Sequence, residues 1–409
     1  MDPNVSYLAS ENWGELEMRE RMRWLRENDP VHWSEPDGVW VVSRYEDVAY
    51  VSKDQDTFTS AEGVRPNNPV KLGLIDEAEP RHSNLRNLIN KGFSPRMVKK
   101  LEDVFRSITT DAIDKVAKSG ECDFVPDIAV PLPLRLIAAM IGIRDEDYDD
   151  FHRWSDSMIA AEGNMDDPEV MQKATASFME YATYVTEIIE DRRRNPQDDL
   201  VSLLTGAKDQ GLLKEYDEAE SFKHAVEPDP TLHNDELIKL LVILMVAGNE
   251  TTRNALAGGM QQLIENPGER DKLLRDRSLL RSGVEEIVRI VSPVHSFGRT
   301  VTRDTELHGK RLEAGQQVLI LYPAANRDPA EFEDPDSFKI ERNPQHLGFG
   351  IGSHFCLGAN LARMEMRVAF EELLRRLPDM EYAGDGPVIR PSALVRSCVE
   401  MKLRFTPES

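Results

Sequence analysis

The sequence predicts a mainly α-helical protein that carries a small β-rich lobe. Helical periodicity dominates the stretch from Met97 to Arg194, and a second long helical stretch runs from His233 to Asn266. Short alternating segments, which are typical of strands, lie near the N-terminus and again after residue 293. Together these three observations indicate mostly helix with some sheet.

The composition is that of an ordinary globular protein. Of the 409 residues, 40% are hydrophobic and 30% are charged, which is enough to bury a large core in one domain or in two. The sequence has no apolar run of about 18 residues, and its N-terminal stretch lacks the basic and apolar regions of a signal peptide. We therefore expect a cytoplasmic protein without a membrane anchor.

The cysteines and the net charge exclude several classes of protein. Cys122, Cys356 and Cys398 are scattered, odd in number and form no CxxC pair, which argues against a disulfide scaffold or a zinc ribbon. The net charge of −23 repels nucleic acid and anionic membranes. An acidic partner protein would therefore need a local basic patch.

The N-terminal part mixes helix and strand. Trp13 to Asn28 predicts a helix, and Val31 to Ser43 alternates around Pro36-Asp37-Gly38 as a hairpin does. The segment from Thr57 to Gly73 is rich in Pro, Asn and Gly without a sustained period, so it predicts a long loop. Such a loop is either a binding loop or lid, or an irregular connection.

A further helix is predicted to begin near Pro80. Its His82 and Arg86 are four residues apart and share one face, where they are either solvated or part of a site. The helical region that follows is interrupted from Gly120 to Pro133, which cannot form one continuous helix. The polar, acidic stretch from Asn195 to Pro230 is predicted to be a loop.

The second long helical stretch predicts a buried central helix. It is apolar on every side from Leu240 to Ala247, and polar Glu250 and Thr251 then fall in its middle. A buried acid and alcohol cost free energy without partners, and Ala247 with Gly248 leaves room for a ligand against the backbone. The alternative is that the helix simply reaches the surface here.

The next helix carries Glu286 and Arg289, three residues apart. This spacing occurs in many exposed ion pairs and is a weak signal alone. The sequence then indicates short strands with turns up to about residue 328, followed by a loop that contains Arg342.

The stretch from His346 to Leu361 presents one cysteine on a glycine-rich loop just before a helix. Gly350 and Gly352 permit backbone angles that other residues avoid. The backbone N–H groups that follow Cys356 and the helix dipole favour a thiolate over a thiol. A lone buried cysteine is more often structural, but these neighbours predict a sulfur ligand for a metal.

This loop, of the form F-G-x-G-x-H-x-C-x-G, resembles the haem-ligand loop of the cytochromes P450. The resemblance implies that Cys356 is the axial ligand to the iron of haem b, iron protoporphyrin IX. It also implies that Phe349 packs beside the sulfur and that His354 reaches a haem propionate. Gly358 is expected to permit tight packing below the sulfur.

Other segments resemble motifs of the same family and occur in the family's order. His82 and Arg86 match the helix that donates hydrogen bonds to the haem propionates, and Arg299 matches a further propionate-binding arginine. The pattern A-G-x-E-T matches the family's distal helix, which implies that Glu250 and Thr251 steer protons to oxygen.

The same distal pattern places Ala247 and Gly248 against the haem. Glu286 and Arg289 match the family's Glu-Arg pair, about 70 residues before the Cys loop. The resemblance implies that Arg342 is the third member of that pair's network.

The resemblance spans residues 82–358 and implies one domain over residues 1–409 with the family's triangular-prism fold. The haem is then expected between the Glu250 helix and the Cys356 loop. The implied activity is that of a bacterial monooxygenase that inserts one atom of O2 into a C–H bond. Two alternatives stay open: a peroxide-driven peroxygenase, whose family members lose the acid–alcohol pair, and a non-catalytic haem sensor.

Electrons are expected from separate proteins, a ferredoxin and an NAD(P)H-dependent ferredoxin reductase, because the family's fold takes up the 409 residues. An acidic ferredoxin would dock on a local basic cluster. The candidates are Arg96, Lys99, Lys100 and, beside the Cys loop, Arg363. We expect a monomer.

Several segments, among them FHRWSDSMI and AGNETTRNAL, resemble the bacterial P450s that hydroxylate steroid side chains. They imply a steroid or steroid-like terpenoid substrate, with a smaller terpenoid, a fatty acid or a polyketide as alternatives. His295 either orients a polar group of the substrate or is structural. Apolar burial would supply the affinity, and the lining candidates are Val64, Leu72, Val246, Ala247, Val294, His295, Phe297 and Leu394.

Overall fold

The structure, a computed structural model, describes residues 3–68, 71, 73–161, 167–206 and 234–409. Its α-helices are numbered here in chain order. They are α1 (Glu15–Asn28), α2 (Tyr45–Lys53), α3 (Arg81–Ile89), α4 (Pro95–Val116), α5 (Pro131–Ile141), α6 (Tyr148–Ala161), α7 (Pro168–Arg194), α8 (Leu200–Thr205), α9 (Asn234–Glu265), α10 (Pro267–Arg275), α11 (Leu280–Val291), α12 (Tyr322–Ala325) and α13 (Ala359–Arg376).

The strands are short and form small sheets. They are β1 (Val31–Ser34), β2 (Val39–Val42), β3 (Phe58–Thr59), β4 (Glu121–Asp123), β5 (Ser296–Val301), β6 (Thr305–Leu307), β7 (Lys310–Leu312), β8 (Gln317–Leu321), β9 (Glu381–Tyr382), β10 (Val388–Arg390), β11 (Ser397–Glu400) and β12 (Lys402–Arg404). The largest sheet has the order β1-β2-β8-β5-β3, in which only β2 and β8 pair in parallel. This sheet brings the N-terminal hairpin beside strands from the last third of the chain.

Helix α9 lies at the centre of the helical part. It packs against α5, α6, α7, α11 and α13, and its Leu241, Met245 and Leu256 are fully buried. Its apolar surface is therefore covered by other helices of the protein, as the sequence predicts. None of the helices among the described residues has the length and apolar character that crossing a bilayer requires.

The prediction of a mainly helical protein with a small β-rich lobe is confirmed. The interruption from Gly120 to Pro133 contains β4 and one π-helical turn, Val125–Ala129. The prediction of a loop from Asn195 to Pro230 is wrong over α8, because Asp199 caps this helix by accepting from Ser202 N at 2.7 Å and its Leu200 and Leu204 are buried. The rest of that segment, from residue 207 on, lies outside the described residues.

A buried ion pair ties α11 to the loop that contains Arg342. The guanidinium of Arg289 donates to both carboxylate oxygens of Glu286, at 2.7 and 2.8 Å, and both side chains are fully buried. Arg342 Nε donates to the same carboxylate at 3.1 Å. Arg289 also donates to the carbonyl oxygens of Asn326 at 2.8 Å and Pro335 at 2.7 Å. The pair thus has the additional hydrogen bonds that a buried charge requires.

We predict that Glu286→Gln lowers the free energy of unfolding by about 3–5 kcal/mol, because it leaves the buried Arg289 charge without its partner. Denaturant titration of the haem-loaded protein measures this. The matched control is Glu381→Gln, which breaks the exposed pair with Arg404 and should cost at most about 1 kcal/mol. Equal losses in both variants would contradict the prediction.

Candidate active site

The Cys loop folds back on itself beneath the start of α13. Gly350 and Gly352 have φ values of +68° and +81°, which explains why glycine occupies both positions. The N–H of Cys356 donates to the carbonyl oxygen of Phe349 at 2.8 Å and closes the loop. A Cβ at Gly352 would lie 3.1 Å from Ser52 O, so the loop also presses closely on α2.

The sulfur of Cys356 lies in an environment that can hold a thiolate. Burial raises the pKa of the Cys356 thiol, and the N–H of Gly358 together with the charges of Arg86 and Arg363 opposes that rise. The side chain nevertheless keeps one partly exposed side. A Cβ at Gly358 would meet no atom within 4 Å, so the expectation of tight protein packing at Gly358 is wrong. The space beside the sulfur is open to a ligand.

Phe349 connects the Cys loop to α11 and α13. The guanidinium of Arg363 lies 4.6 Å from the centre of the Phe349 ring and donates to Glu285 at 2.6 and 2.9 Å. His346 also contacts Glu285, at 3.1 Å. Burial raises the pKa of Glu285, but these two partners outweigh it and lower the pKa to about 2. The carboxylate therefore stays charged and fixes both ends of the loop.

Four groups that can donate hydrogen bonds to an anion converge at one edge of the Cys loop. The rings of His82 and His354 stack with their centres 3.9 Å apart. Burial, followed by the charges of Arg299, His82 and Arg86, lowers the pKa of His354 to about 2. Arg86 donates to the carbonyl oxygen of Phe355. Every one of these groups is one that the sequence assigns to propionate binding.

Few acids compensate this cluster among the described residues. His82 contacts the carboxylate of Glu79 at 2.9 Å, and the charge of Asp76 acts on Arg299. Arg299 is buried and donates to Gly298 O at 2.7 Å, while its Nε has no hydrogen-bond partner. An unbalanced cationic cluster beside an open space next to a sulfur fits haem, whose two propionates supply negative charge at one edge.

The helix face of α9 that carries Ala247 and Thr251 is left open by the residues that the structure describes. Ala247 is exposed although it lies in the middle of the central helix, and Thr251, one turn later, is partly exposed. The Thr251 hydroxyl donates to Ala247 O at 2.8 Å. Because its proton is used in this bond, the hydroxyl oxygen presents acceptor lone pairs to the open side.

Gly248 does not provide room for a ligand as the sequence suggests. A Cβ at this position would lie 2.6 Å from Cδ1 of Ile137 on α5. The glycine is thus explained by helix packing, and the assignment of Gly248 to cofactor contact is corrected. Ala247 keeps the assigned position on the open face.

Glu250 points away from the open face. Only 4% of it is exposed, and its Oε1 accepts from Asn254 Nδ2 at 2.8 Å. Its Oε2 lies 2.5 Å from Nη2 of Arg253. Burial raises the pKa of Glu250, with Arg253 as the main opposing influence. The carboxylate is thus held by Arg253 and Asn254 in the resting position.

The pocket candidates fall into two groups. Val64 is joined to β5 through the bond from Gly298 N to Val64 O, and Val294 pairs with Val395 beside Leu394. Phe297 packs edge-to-face on Tyr322 at 6.1 Å. These contacts place Val64, Val294, Phe297 and Leu394 around the start of β5, on segments that flank Arg299.

The other candidates are not placed at the open face. His295 stacks on Trp13 with ring centres 4.8 Å apart, and its Nδ1 lies 2.8 Å from Ser392 O. Burial lowers the pKa of His295 to about 4. His295 is therefore structural, and its assignment to the pocket is corrected. Val246 packs at the edge of the main core, and Leu72 lies outside the described residues.

Sequence patterns missed several residues that hold the site. Ser60 Oγ lies 3.0 Å from Nε2 of His354, and Asn326 Oδ1 accepts from Leu347 N at 2.7 Å. Glu285 positions the Cys loop, and Asn254 positions Glu250. Each contacts a segment distant in sequence, and each type of residue is common on surfaces, so no local pattern marks it.

Comparisons with known proteins agree with this geometry. A family model described as Cytochrome P450 matches residues 164–387. A steroid C26-monooxygenase from Mycobacterium tuberculosis is 37% identical over 408 residues, which cover 99% of this chain and 98% of that protein. A steroid C26-monooxygenase from Mycolicibacterium smegmatis is 35% identical over 409 residues, covering 100% and 97%.

Among solved structures, CYP109E1 from Bacillus megaterium in complex with testosterone is similar. It is 32% identical with a TM-score of 0.81, and the match covers 95% of this chain and 99% of that chain. The likeness therefore extends over nearly the entire length of both chains.

We predict that Cys356→Ser abolishes the far red-shifted Soret band that a reduced, CO-bound thiolate haem shows, because serine provides no thiolate. The other two cysteines are buried and lie away from the loop. Cys122→Ser and Cys398→Ser are the matched controls and should keep the band. If Cys356→Ser keeps the band and one of the controls loses it, the ligand is another cysteine.

Proposed function

Because this chain belongs to the cytochrome P450 family and is a P450 monooxygenase, we propose that it hydroxylates a steroid or steroid-like terpenoid at a side-chain carbon. The observation that carries the proposal is the similarity to two steroid C26-monooxygenases over at least 99% of the chain. A structural relative that was solved in complex with testosterone supports the same class of substrate.

We propose haem b as the cofactor, held by Cys356 at the iron and by the cationic cluster at the propionates. Haem held by a thiolate supplies O2 activation and C–H oxidation. The chain's own contribution is to hold the sulfur in one position, since Phe349, Arg363 and Glu285 brace the loop. His82, Arg86, Arg299 and His354 supply donors to the propionates.

Thr251 is proposed to hold a proton-carrying water at the open face of α9. Its hydroxyl bond to Ala247 O fixes the orientation of the oxygen, which then accepts a hydrogen bond from a water molecule. The intact acid–alcohol pair favours a monooxygenase over a peroxygenase. Glu250 is proposed to serve this water after its side chain leaves Arg253, because its present position faces away.

The electron donor is proposed to be an acidic ferredoxin, reduced by an NAD(P)H-dependent reductase. A concave surface of about 880 Å³ lies over the Cys loop, and its lining includes the exposed Lys99 and Arg281. Within this surface Arg363 is paired with Glu285, and Arg367 lies 2.8 Å from Glu102. Lys99 and Arg281 are therefore the cations best able to meet a partner's acids.

The remaining docking candidates from the sequence contribute less to this surface. Lys100 lies 3.4 Å from Asp198, away from the concave surface, and Arg96 is exposed outside its lining. Arg281 takes their place, although the sequence analysis did not single it out. We also propose a cytoplasmic location, which the three free cysteines support, because thiols persist in a reducing compartment.

We predict that Thr251→Ala keeps haem content and substrate affinity but diverts most reducing equivalents to hydrogen peroxide, because proton supply and not the pocket is damaged. The ratio of product formed to NAD(P)H consumed measures this. Thr183→Ala is the matched control, since it removes the same kind of hydroxyl bond, to Met179 O at 2.9 Å, on an exposed face of α7. Fully coupled turnover by Thr251→Ala would remove Thr251 from the mechanism.

We predict that cholest-4-en-3-one and shorter steroids shift the haem of the oxidised protein to high spin in a saturable way. Ala247→Phe should weaken this binding at least about tenfold, because the ring occupies space on the open face of α9. Absorbance titration measures both. No spin shift with any steroid, alongside a clear shift with a fatty acid or a monoterpene, would overturn the steroid proposal and leave the monooxygenase intact.

A further inference from the structure

A second concave site lies outside the candidate active site. It is a cleft of about 80 Å³ between α1, the C-terminal half of α9, the end of α11 and the turn after α12. We name it the arginine cleft, because its lining contains the four arginines Arg19, Arg26, Arg327 and Arg396.

The charge of the arginine cleft is not balanced. Glu15 is the one acidic residue in its lining, where it accepts from Arg396 Nε at 3.1 Å. Outside the cleft, Asp336 lies 3.4 Å from Arg327 Nε and is shared with the exposed Arg23, and the charge of Asp328 acts on Arg26. With Arg23 counted, five cations face these three acids, so positive charge is in excess here although the net charge of the protein is −23.

Buried donors in the arginine cleft lack partners among the described residues. Nη1 of Arg396 and Nε of Arg26 make no hydrogen bond, although only 5% and 7% of these residues are exposed. Unpaired buried donors are costly and rare in native proteins. Burial, and then the neighbouring charges of Arg19 and Arg289, lower the pKa of Arg327 to about 9. Burial is the largest cause of this lowered pKa, and the neighbouring arginines add to it.

We propose that the arginine cleft binds a small divalent oxyanion such as phosphate. A tetrahedral dianion matches the excess charge, and several oxygens can accept from the unpaired guanidinium donors at once. The volume of about 80 Å³ holds several water molecules, and hence one such oxyanion. Gln261 and Gln262 in the lining add amide donors.

Such an anion would join segments that are distant in the sequence. Arg19 and Arg26 belong to α1, Arg327 follows α12, and Arg396 precedes β11. One oxyanion that contacts all three segments would hold α1 against the core. The bound state is therefore more stable than the free state by an amount that depends on phosphate concentration.

Isothermal titration calorimetry of the haem-loaded enzyme with inorganic phosphate tests the proposal, with ionic strength held constant by sodium chloride. The haem-loaded form is needed because its propionates occupy the other cationic cluster. We expect one saturable site and a phosphate-dependent rise in Tm. Arg19→Gln and Arg396→Gln should each weaken the dissociation constant at least about tenfold.

Lys99→Gln serves as the control, because it removes one exposed cation from the surface over the Cys loop, outside the arginine cleft. It should bind phosphate as the parent does. Arg19 is exposed on the surface of α1, so Arg19→Gln keeps the test valid if Arg396→Gln does not fold.

The choice of anion separates the outcomes. Sulfate should compete with phosphate, and acetate should not. The affinities of β-glycerophosphate and inorganic phosphate are then compared. Tighter binding of β-glycerophosphate identifies a phosphate monoester as the ligand, and tighter binding of inorganic phosphate identifies the free ion. Equal competition by acetate would overturn the divalent assignment. No saturable binding, or binding that Arg19→Gln and Arg396→Gln leave unchanged, would overturn the site.

Discussion

The fully buried pair of Glu286 and Arg289 is the interaction on which the position of the Cys loop depends. Arg289 donates to Asn326 O, and the side chain of Asn326 in turn accepts from Leu347 N, at the start of the loop. The loop that carries Cys356 is thus connected to α11 through two successive polar contacts. A buried pair of this kind adds little net stability over an apolar one, but it admits few alternative arrangements. The pair therefore contributes more to fixing the position of the Cys loop than to the free energy of unfolding.

A second constraint is electrostatic. A strongly acidic protein that binds an anionic cofactor, and for which we propose an acidic electron donor, has to concentrate positive charge locally. The structure concentrates positive charge at two separate surfaces. One lies at the edge of the Cys loop, and the other lies over the outer face of that loop. At the outer face many cations are already paired with acids of the same chain, such as Arg363 with Glu285. The net positive charge of this outer face is therefore modest. A modest charge suits a partner protein that has to dissociate after it has bound.

The sequence predicts those features that lie within one short segment. The Cys loop, the central helix and the Glu286–Arg289 pair each have a local pattern, and the structure forms all three. The errors fall where contact with a distant segment decides the role of a residue. Gly248 is explained by Ile137, and His295 by Trp13, and neither neighbour can be inferred from local spacing. Likewise α8 forms because its leucines find a buried surface.

The amide of Asn254 has a consequence for how Glu250 can move. Its nitrogen donates to Glu250 Oε1, while its oxygen accepts from Cys398 N on β11 at 2.8 Å. The amide therefore cannot flip without losing its bond to the main chain of β11. If Glu250 rotated towards the open face as proposed, the nitrogen of Asn254 would stay oriented to receive the carboxylate again. Strand β11 thus sets the resting position of the acid, although it does not contact the acid itself.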